Sequence, residues 1–306
     1  MIRVLALVGP TAAGKTALSL EVAGRLGAEV VSLDSTMVYR GMDIGTDKPA
    51  PANLARVPHH LVDVVEPSET LTVAAFQSLA RAAVEDVAAR GRLPLLVGGS
   101  GLYFRALVDA LEFPGTDTGV RRRLEEEAAA MGPIALYERL RSVDPQAAGR
   151  IDPMNARRTV RALEVLEVTG RPFSAFRTAW DQHQSVYDLA AVGISEARDE
   201  LDRRIEARVD AQIARGLVAE VEALVERGMR ASATSVQALG YAQVLAHLDG
   251  RLTLDQAVDE AKRRTRRFAR RQLRWFQADP RVRWFTSDPT AAAAALAATT
   301  KGGEAA

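Results

Sequence analysis

"RVLALVGPTAAGKTALSLEVAGRL", residues 3–26, decides the fold. Arg3 to Val8 form a short apolar run that enters a Gly-rich turn, and beyond it Leu18, Val22 and Leu26 recur at helical spacing. The order is strand, loop, helix. Within it Gly9, Gly14, Lys15 and Thr16 fill every fixed position of G-x-x-x-x-G-K-[ST], in the strand-to-helix context that motif requires. Glycines let the backbone wrap until successive N–H groups converge on phosphate oxygens, and the helix N-terminus adds positive potential. Gly9, Pro10, Thr11, Ala12, Ala13, Gly14, Lys15 and Thr16 are therefore expected to cradle a phosphate-bearing ligand, with Lys15 as a mobile cation and Thr16 offering a hydroxyl to Mg²⁺.

Further strands are predicted at Glu29 to Ser35, Leu61 to Val65, Leu93 to Gly101 and Asp188 to Ser195, with a possible last one at Val282 to Phe285. A helical stretch, Val73 to Ala89, lies between the third and fourth. Short apolar strands alternating with amphipathic helices indicate an α/β core with a mostly parallel sheet. After Leu111 the pattern turns helical and charged, with "VRRRLEEEAAAMG" and "NARRTVRALEVLEVTG" as the clearest helices. The expected organisation is a core of residues 1–112 and 187–290, a helical insertion at 113–186, and a low-complexity tail at 291–306 that frays.

Composition narrows the chemistry. The 306 residues include no cysteine, which excludes disulfides, thiolate catalysis and Cys-ligated zinc. Apolar runs are short, well under the about 18 residues of a bilayer span, and "MIRVLALVGPT" lacks the features of a secretory leader. A cytoplasmic protein is expected, with no membrane partner. His59 and His60 in "VPHHLVDV" have no third ligand at metal spacing and read as structural.

A P-loop protein that hydrolyses a nucleotide also needs an acid at the end of a core strand to hold Mg²⁺. "LPLLVGGSG" is the strand best placed, and it ends in glycines. Asp34 closes the second strand instead, where a doubly wound sheet aims it across the cradle. That place suits a base on the acceptor side; the alternative is an Asp capping the next turn.

The net charge of +1 conceals a basic face. "KRRTRRFARRQLRWF", residues 262–276, holds Arg266, Arg270 and Arg274 among eight cations and no acid, while Ala261, Thr265, Phe268, Gln272 and Trp275 form the stripe that packs inward. This face suits a phosphodiester backbone. Arg157, Arg158 and Arg161 form a second cluster, in the insertion, and two clusters could grip a large polyanion. Arg204 and Arg208 border the packed stripe of residues 200–216; each suits a phosphate contact or merely covers that stripe with its stem.

Taken together, "GPTAAGKT", "SLDSTMVYRGMDIGTDKP", "PHHLVDV", "LLVGGSGLYFRAL", "NARRTVRALEV", "VQALGYAQVL" and "RRFARRQLRWF" resemble, in order, the signature blocks of bacterial tRNA dimethylallyltransferases. The resemblance implies a P-loop NTPase-like core whose cradle, Gly9 to Thr16, takes the diphosphate of dimethylallyl diphosphate with Mg²⁺ on Thr16. It implies transfer of the dimethylallyl group to the exocyclic amine of the adenosine 3′ of the anticodon. It also implies Asp34 as general base on that amine and Arg208 as a second cation on the leaving group. Ser35, Thr36, Met37, Ser100, Arg121 and the segment Gln237 to Ala242, including Gly240 and Tyr241, are implied to contact the tRNA anticodon stem-loop; Ser100 stands where the family more often has Thr. A monomer is expected. The rival reading is a P-loop phosphotransferase acting on a small metabolite, with Asp34 as the acceptor base, which leaves the basic helix without work.

Overall fold

The computed structural model describes residues 1–176 and 178–301. They form two compact units, one of Met1–Val108 with the chain from Ser185 onward, the other of Asp109–Gln184.

The first unit is built on a six-stranded sheet with β1 at Arg3–Val8, β2 at Ala28–Ser32, β3 at His59–His60, β4 at Leu93–Gly98, β5 at Asp188–Ser195 and β6 at Val282–Thr286. The order is β3-β2-β4-β1-β5-β6, and every pairing is parallel. This is the α/β architecture expected from the sequence. Val4 through Val8 are fully buried because helices cover both faces, which is why β1 reads as a continuous apolar run and not an alternating one. From β1 the chain runs out to β2, on the far side of β4, while β5 lies on β1's other side, so the strand order switches direction at β1. The crevice at such a point receives ligands at the carboxyl ends of the strands, where Gly9 and Asp34 both fall.

Two expectations need correction. A third strand at Leu61 to Val65 does not form; the strand is His59–His60. Leu61 and Asp63 have φ of 63° and 56°, left-handed values that break an extended path, and Val65 keeps only an isolated bridge to Tyr39. The Ala-rich tail holds a helix, Pro289–Lys301, whose Ala292, Ala293 and Leu296 are buried in the cluster containing Leu5 and Leu18. Alanine has the best helix propensity and lets a helix sit close to its neighbours. Residues 302–306 of that tail lie outside the described residues.

The second unit is helical, with Thr118–Met131, Pro133–Val143 and Ala156–Thr169 closing on Leu124, Leu136, Leu140, Val160 and Leu163. Asp117, Asp144 and Asn155 cap helix starts through their side chains. Glu164, fully buried, accepts from Arg121 at 2.7 Å, Arg161 at 2.8 Å and the Asp117 amide at 3.1 Å. Burial alone raises its carboxyl pKa, but hydrogen bonds from Arg161 and Arg121 outweigh that and hold it below the usual value.

Candidate active site

The cradle follows from two glycines. Gly9 lies at φ 149°, and a Cβ there would sit 2.3 Å from the Ile194 carbonyl oxygen of β5, so no other residue fits. Gly14, at φ 88°, turns the chain into the helix Lys15–Leu26. Ala12 takes φ 64° without being glycine, strain of a kind that gathers at ligand sites. Lys15 is half-buried and donates from Nζ to the Pro10 carbonyl at 2.7 Å. Desolvation pushes its pKa from 10.5 down to about 8, with Asp34 opposing the shift and Arg208 adding to it. A cavity of about 600 Å³ opens here, lined by Thr11 to Thr16 apart from Ala13, and by Asp34, Met37, His59 and Arg208. Thr16 is exposed within it.

Arg208, on the helix Arg198–Ala214, reaches the cradle directly. Its Nη1 donates to Thr11 Oγ1 at 3.0 Å, its Nη2 to the Thr46 carbonyl at 3.3 Å, and its Nε pairs with Asp47 Oδ2 at 3.1 Å. Arg204, one turn earlier, also lines the cavity but is held by Glu200 at 2.7 Å and Glu196 at 3.0 Å. Of the two cations the sequence singles out, Arg208 is the one turned onto the P-loop.

Asp34 follows β2 in a tight turn. Its Oδ1 accepts from the Thr36 amide at 2.8 Å, Thr36 Oγ1 at 2.6 Å and the Met37 amide at 3.4 Å. The capping reading is realised: Oδ1 caps the turn and fixes the carboxylate, which leaves Oδ2 without a hydrogen bond among the described residues. A second cavity, of about 500 Å³, begins here and is lined by Ser35, Thr36, Ser100, Gln237, Gly240, Arg267 and Arg271. Both cavities share Thr11, Asp34, Thr46, Arg208, Phe268 and Gln272 as walls. A phosphate cradle and a second chamber thus meet at one carboxylate and one guanidinium. A larger cavity, about 1130 Å³, touches none of these residues, and its Arg230, Asp249, Arg251, Glu260 and Arg263 pair with one another.

The basic helix, Leu254–Gln277, lies along the second chamber. One edge of it is neutralised. Lys262 pairs with Asp210 at 2.6 Å, Arg266 with Glu206, and Arg270 with Asp202 at 2.8 Å, a ladder in which both helices contribute a residue every fourth position. Arg266 and Arg270, expected to contact tRNA, thus each carry an ion-pair partner within the protein. Arg267, Arg271 and Arg274 are exposed and form no ion pair among the described residues.

A profile of the IPP transferase family matches residues 37–279. The chain belongs to that family. A tRNA dimethylallyltransferase of Streptomyces coelicolor is 55% identical over 280 residues, covering 92% of this chain and 89% of that protein. One from Thermobifida fusca is 52% identical over 287 residues, with the same coverage of 92% and 89%. Among solved structures, the full-length tRNA isopentenylpyrophosphate transferase of Bacillus halodurans is similar with a TM-score of 0.71 at 40% identity, over 99% of this chain and 100% of that one. A eukaryotic dimethylallyltransferase, captured acting on tRNA, is similar with a TM-score of 0.81 at 25% identity, over 98% and 79%.

Against this IPP transferase frame, some residues implied by the resemblance play other parts. Tyr241 is fully buried, and its hydroxyl donates to Glu220 at 2.5 Å and accepts from the Gly45 amide at 3.1 Å, so it braces a loop and lines none of the three cavities described. Arg121 and Arg161 pair with Glu164, whereas Arg157 and Arg158 are exposed and form no ion pair among the described residues. Sequence reasoning missed Asp47, Glu220 and Gln272. Glu220 accepts from three successive amides, Asp43, Ile44 and Gly45, at 3.1, 2.7 and 3.3 Å, a function no local spacing announces. Gln272 stood in the expected inward stripe, and a polar residue there was the available signal.

Proposed function

We propose that this chain transfers the dimethylallyl group of dimethylallyl diphosphate to the exocyclic amine of the adenosine 3′ of the anticodon in tRNA, releasing diphosphate. The observation that carries this is the meeting of the two cavities at Asp34 and Arg208. One cavity is a phosphate cradle, the other is bordered by unpaired arginines, and β4 runs into Gly98, Gly99 and Ser100 with no acid to hold a nucleotide's metal. The names of the relatives support the same reading.

In this reaction the C–O bond to the diphosphate breaks as the C–N bond to adenine forms, and the amine proton must leave. An aromatic amine becomes acidic only as the new bond develops, so a fixed carboxylate oxygen helps in the transition state. Asp34 Oδ2 is that oxygen, held in place because Oδ1 is tied to Thr36. Charge gathers on the departing diphosphate at the same moment, where Lys15, Arg208 and the loop amides converge. The shared walls, Phe268 among them, limit water, which would otherwise capture an allylic cation. A stacked base cannot enter such a chamber, so the adenosine is flipped out of the anticodon loop, and the arginines around the chamber hold the backbone on either side.

Mg²⁺ fits the cradle in one way. Among the described residues no cluster of three acids or histidines could hold a metal, so the protein would supply the Thr16 hydroxyl, and diphosphate and water would supply the remaining oxygens. When bound, the ion would neutralise charge on the leaving diphosphate. Incubation with ATP or dimethylallyl diphosphate, each with and without tRNA, tests the proposal. Product is expected only from dimethylallyl diphosphate with tRNA; phosphoryl transfer from ATP to a small acceptor would replace this reading with the phosphotransferase.

A further inference from the structure

Asp47 places a carboxylate in the wall of a cavity that otherwise attracts anions. Its Oδ1 takes Arg215 Nη2 at 2.5 Å and its Oδ2 takes Arg208 Nε at 3.1 Å. Its backbone lies at φ 58°, a left-handed value that a non-glycine residue keeps only where its surroundings impose it. The surroundings do so here. Glu220 holds the amides of Asp43, Ile44 and Gly45, and Gln212 Nε2 holds the Gly45 carbonyl at 3.0 Å. A repelling charge and a strained backbone at an anion site need a compensating use.

Arg208 shows what that use is. A guanidinium has five N–H donors; here one goes to Thr11 and one to Thr46, Asp47 ion-pairs with the Nε edge, and the second N–H of each Nη forms no hydrogen bond among the described residues. We infer that Asp47 is a positioning residue, which holds Arg208 by an ion pair on its Nε edge so that the free Nη N–H donors meet the diphosphate. The inference rests on the transferase reading above. Without Asp47 a long side chain loses its most strongly charged anchor, and a contact misplaced by about 1 Å can cost on the order of 10²-fold in rate.

The test is a double-mutant cycle on inorganic diphosphate with Mg²⁺, followed by calorimetry, together with single-turnover prenyl transfer to tRNA. Arg208→Ala should weaken diphosphate binding roughly ten- to hundredfold in the natural background, the cost of losing a charge-assisted contact. In an Asp47→Ala background the same change should cost little, because the guanidinium is no longer aimed. Asp47→Ala should slow single-turnover transfer, and Asp47→Asn, which keeps an oxygen facing the Nε edge, should recover part of the rate. Additive losses in the cycle, or a wild-type rate in Asp47→Ala, overturn the inference. So does a loss that Asn does not recover and that a lower melting temperature accompanies, which assigns Asp47 to the loop alone. Natural protein that binds diphosphate yet transfers no prenyl group to tRNA overturns the transferase reading only, since the cycle is read without tRNA.

Discussion

Gln272 Oε1 accepts the backbone amide of Thr11 at 2.9 Å, so the helix that carries the basic face also holds the first turn of the phosphate cradle. Gln272 is nearly buried, and a Cβ on Gly99 would lie 2.2 Å from its Nε2. The glycine after β4 therefore has a physical reason: it lets this side chain reach the P-loop. Thr11 in turn receives Arg208, which links acceptor wall, cradle and leaving-group cation in one hydrogen-bonded series.

Gln272→Met keeps the volume and removes the acceptor. The Thr11 amide then loses its partner and the loop its anchor, at a cost of about 1–3 kcal/mol for a buried unsatisfied donor. The Michaelis constant for dimethylallyl diphosphate should rise severalfold while the affinity for tRNA holds. Equal changes in both constants would show that the residue serves the helix and not the cradle.

Lys15 gives a pH dependence whose sign can be worked out. Burial lowers its pKa to about 8, below the ordinary 10.5. Diphosphate prefers the protonated form, so donor affinity should fall as pH rises through about 8. For stability the linkage runs the other way: between about 8 and 10.5 the unfolded chain binds more protons, so the unliganded protein gains stability as pH rises across that window. Lys15→Met should therefore raise the melting temperature while weakening donor binding, an exchange of stability for function. Calorimetric titration of donor at several pH values, with thermal melts of both proteins, checks each half.

The ion-pair ladder separates two kinds of arginine on one helix. Neutralising Arg267, Arg271 and Arg274 should weaken tRNA binding and flatten its dependence on salt, because each phosphate contact releases counterions. Neutralising Lys262, Arg266 and Arg270 should leave Asp210, Glu206 and Asp202 unpaired, lowering stability more than the salt slope. Filter binding across a salt series distinguishes the sets; identical slopes in the first set and the natural protein would place the RNA elsewhere.

The extent of what the sequence disclosed follows from the range of each interaction. β1, β5 and the helix Val73–Ala89 were legible to the residue, because local apolar spacing determines them. The P-loop was legible because its geometry is local. The ion pairs of Arg266 and Arg270 were not legible because the acids that form them lie some 60 residues or more away in the chain, on a helix that packs alongside. Asp47 and Glu220 were invisible for the same reason. Their partners are distant in the chain, and nothing in "GMDIGTDKP" shows that its amides will face a carboxylate from residue 220.

Asp34→Asn is the sharpest test of the chemistry, and the geometry says why the substitution is clean. Asn retains an oxygen that can accept from the Thr36 amide and hydroxyl, so the turn survives. What changes is the other position, where an NH₂ group replaces Oδ2 and cannot take a proton. Donor binding rests on the cradle and tRNA binding on the arginines, so both affinities should hold. A general base contributes about 10²- to 10⁴-fold, and single-turnover transfer at saturating donor and tRNA should fall within that range. The phosphotransferase reading predicts a similar loss with ATP as donor, so both donors must be assayed. A variant within a few-fold of the natural rate, its affinities intact, would mean that the proton leaves by another route and that Asp34 only shapes the turn.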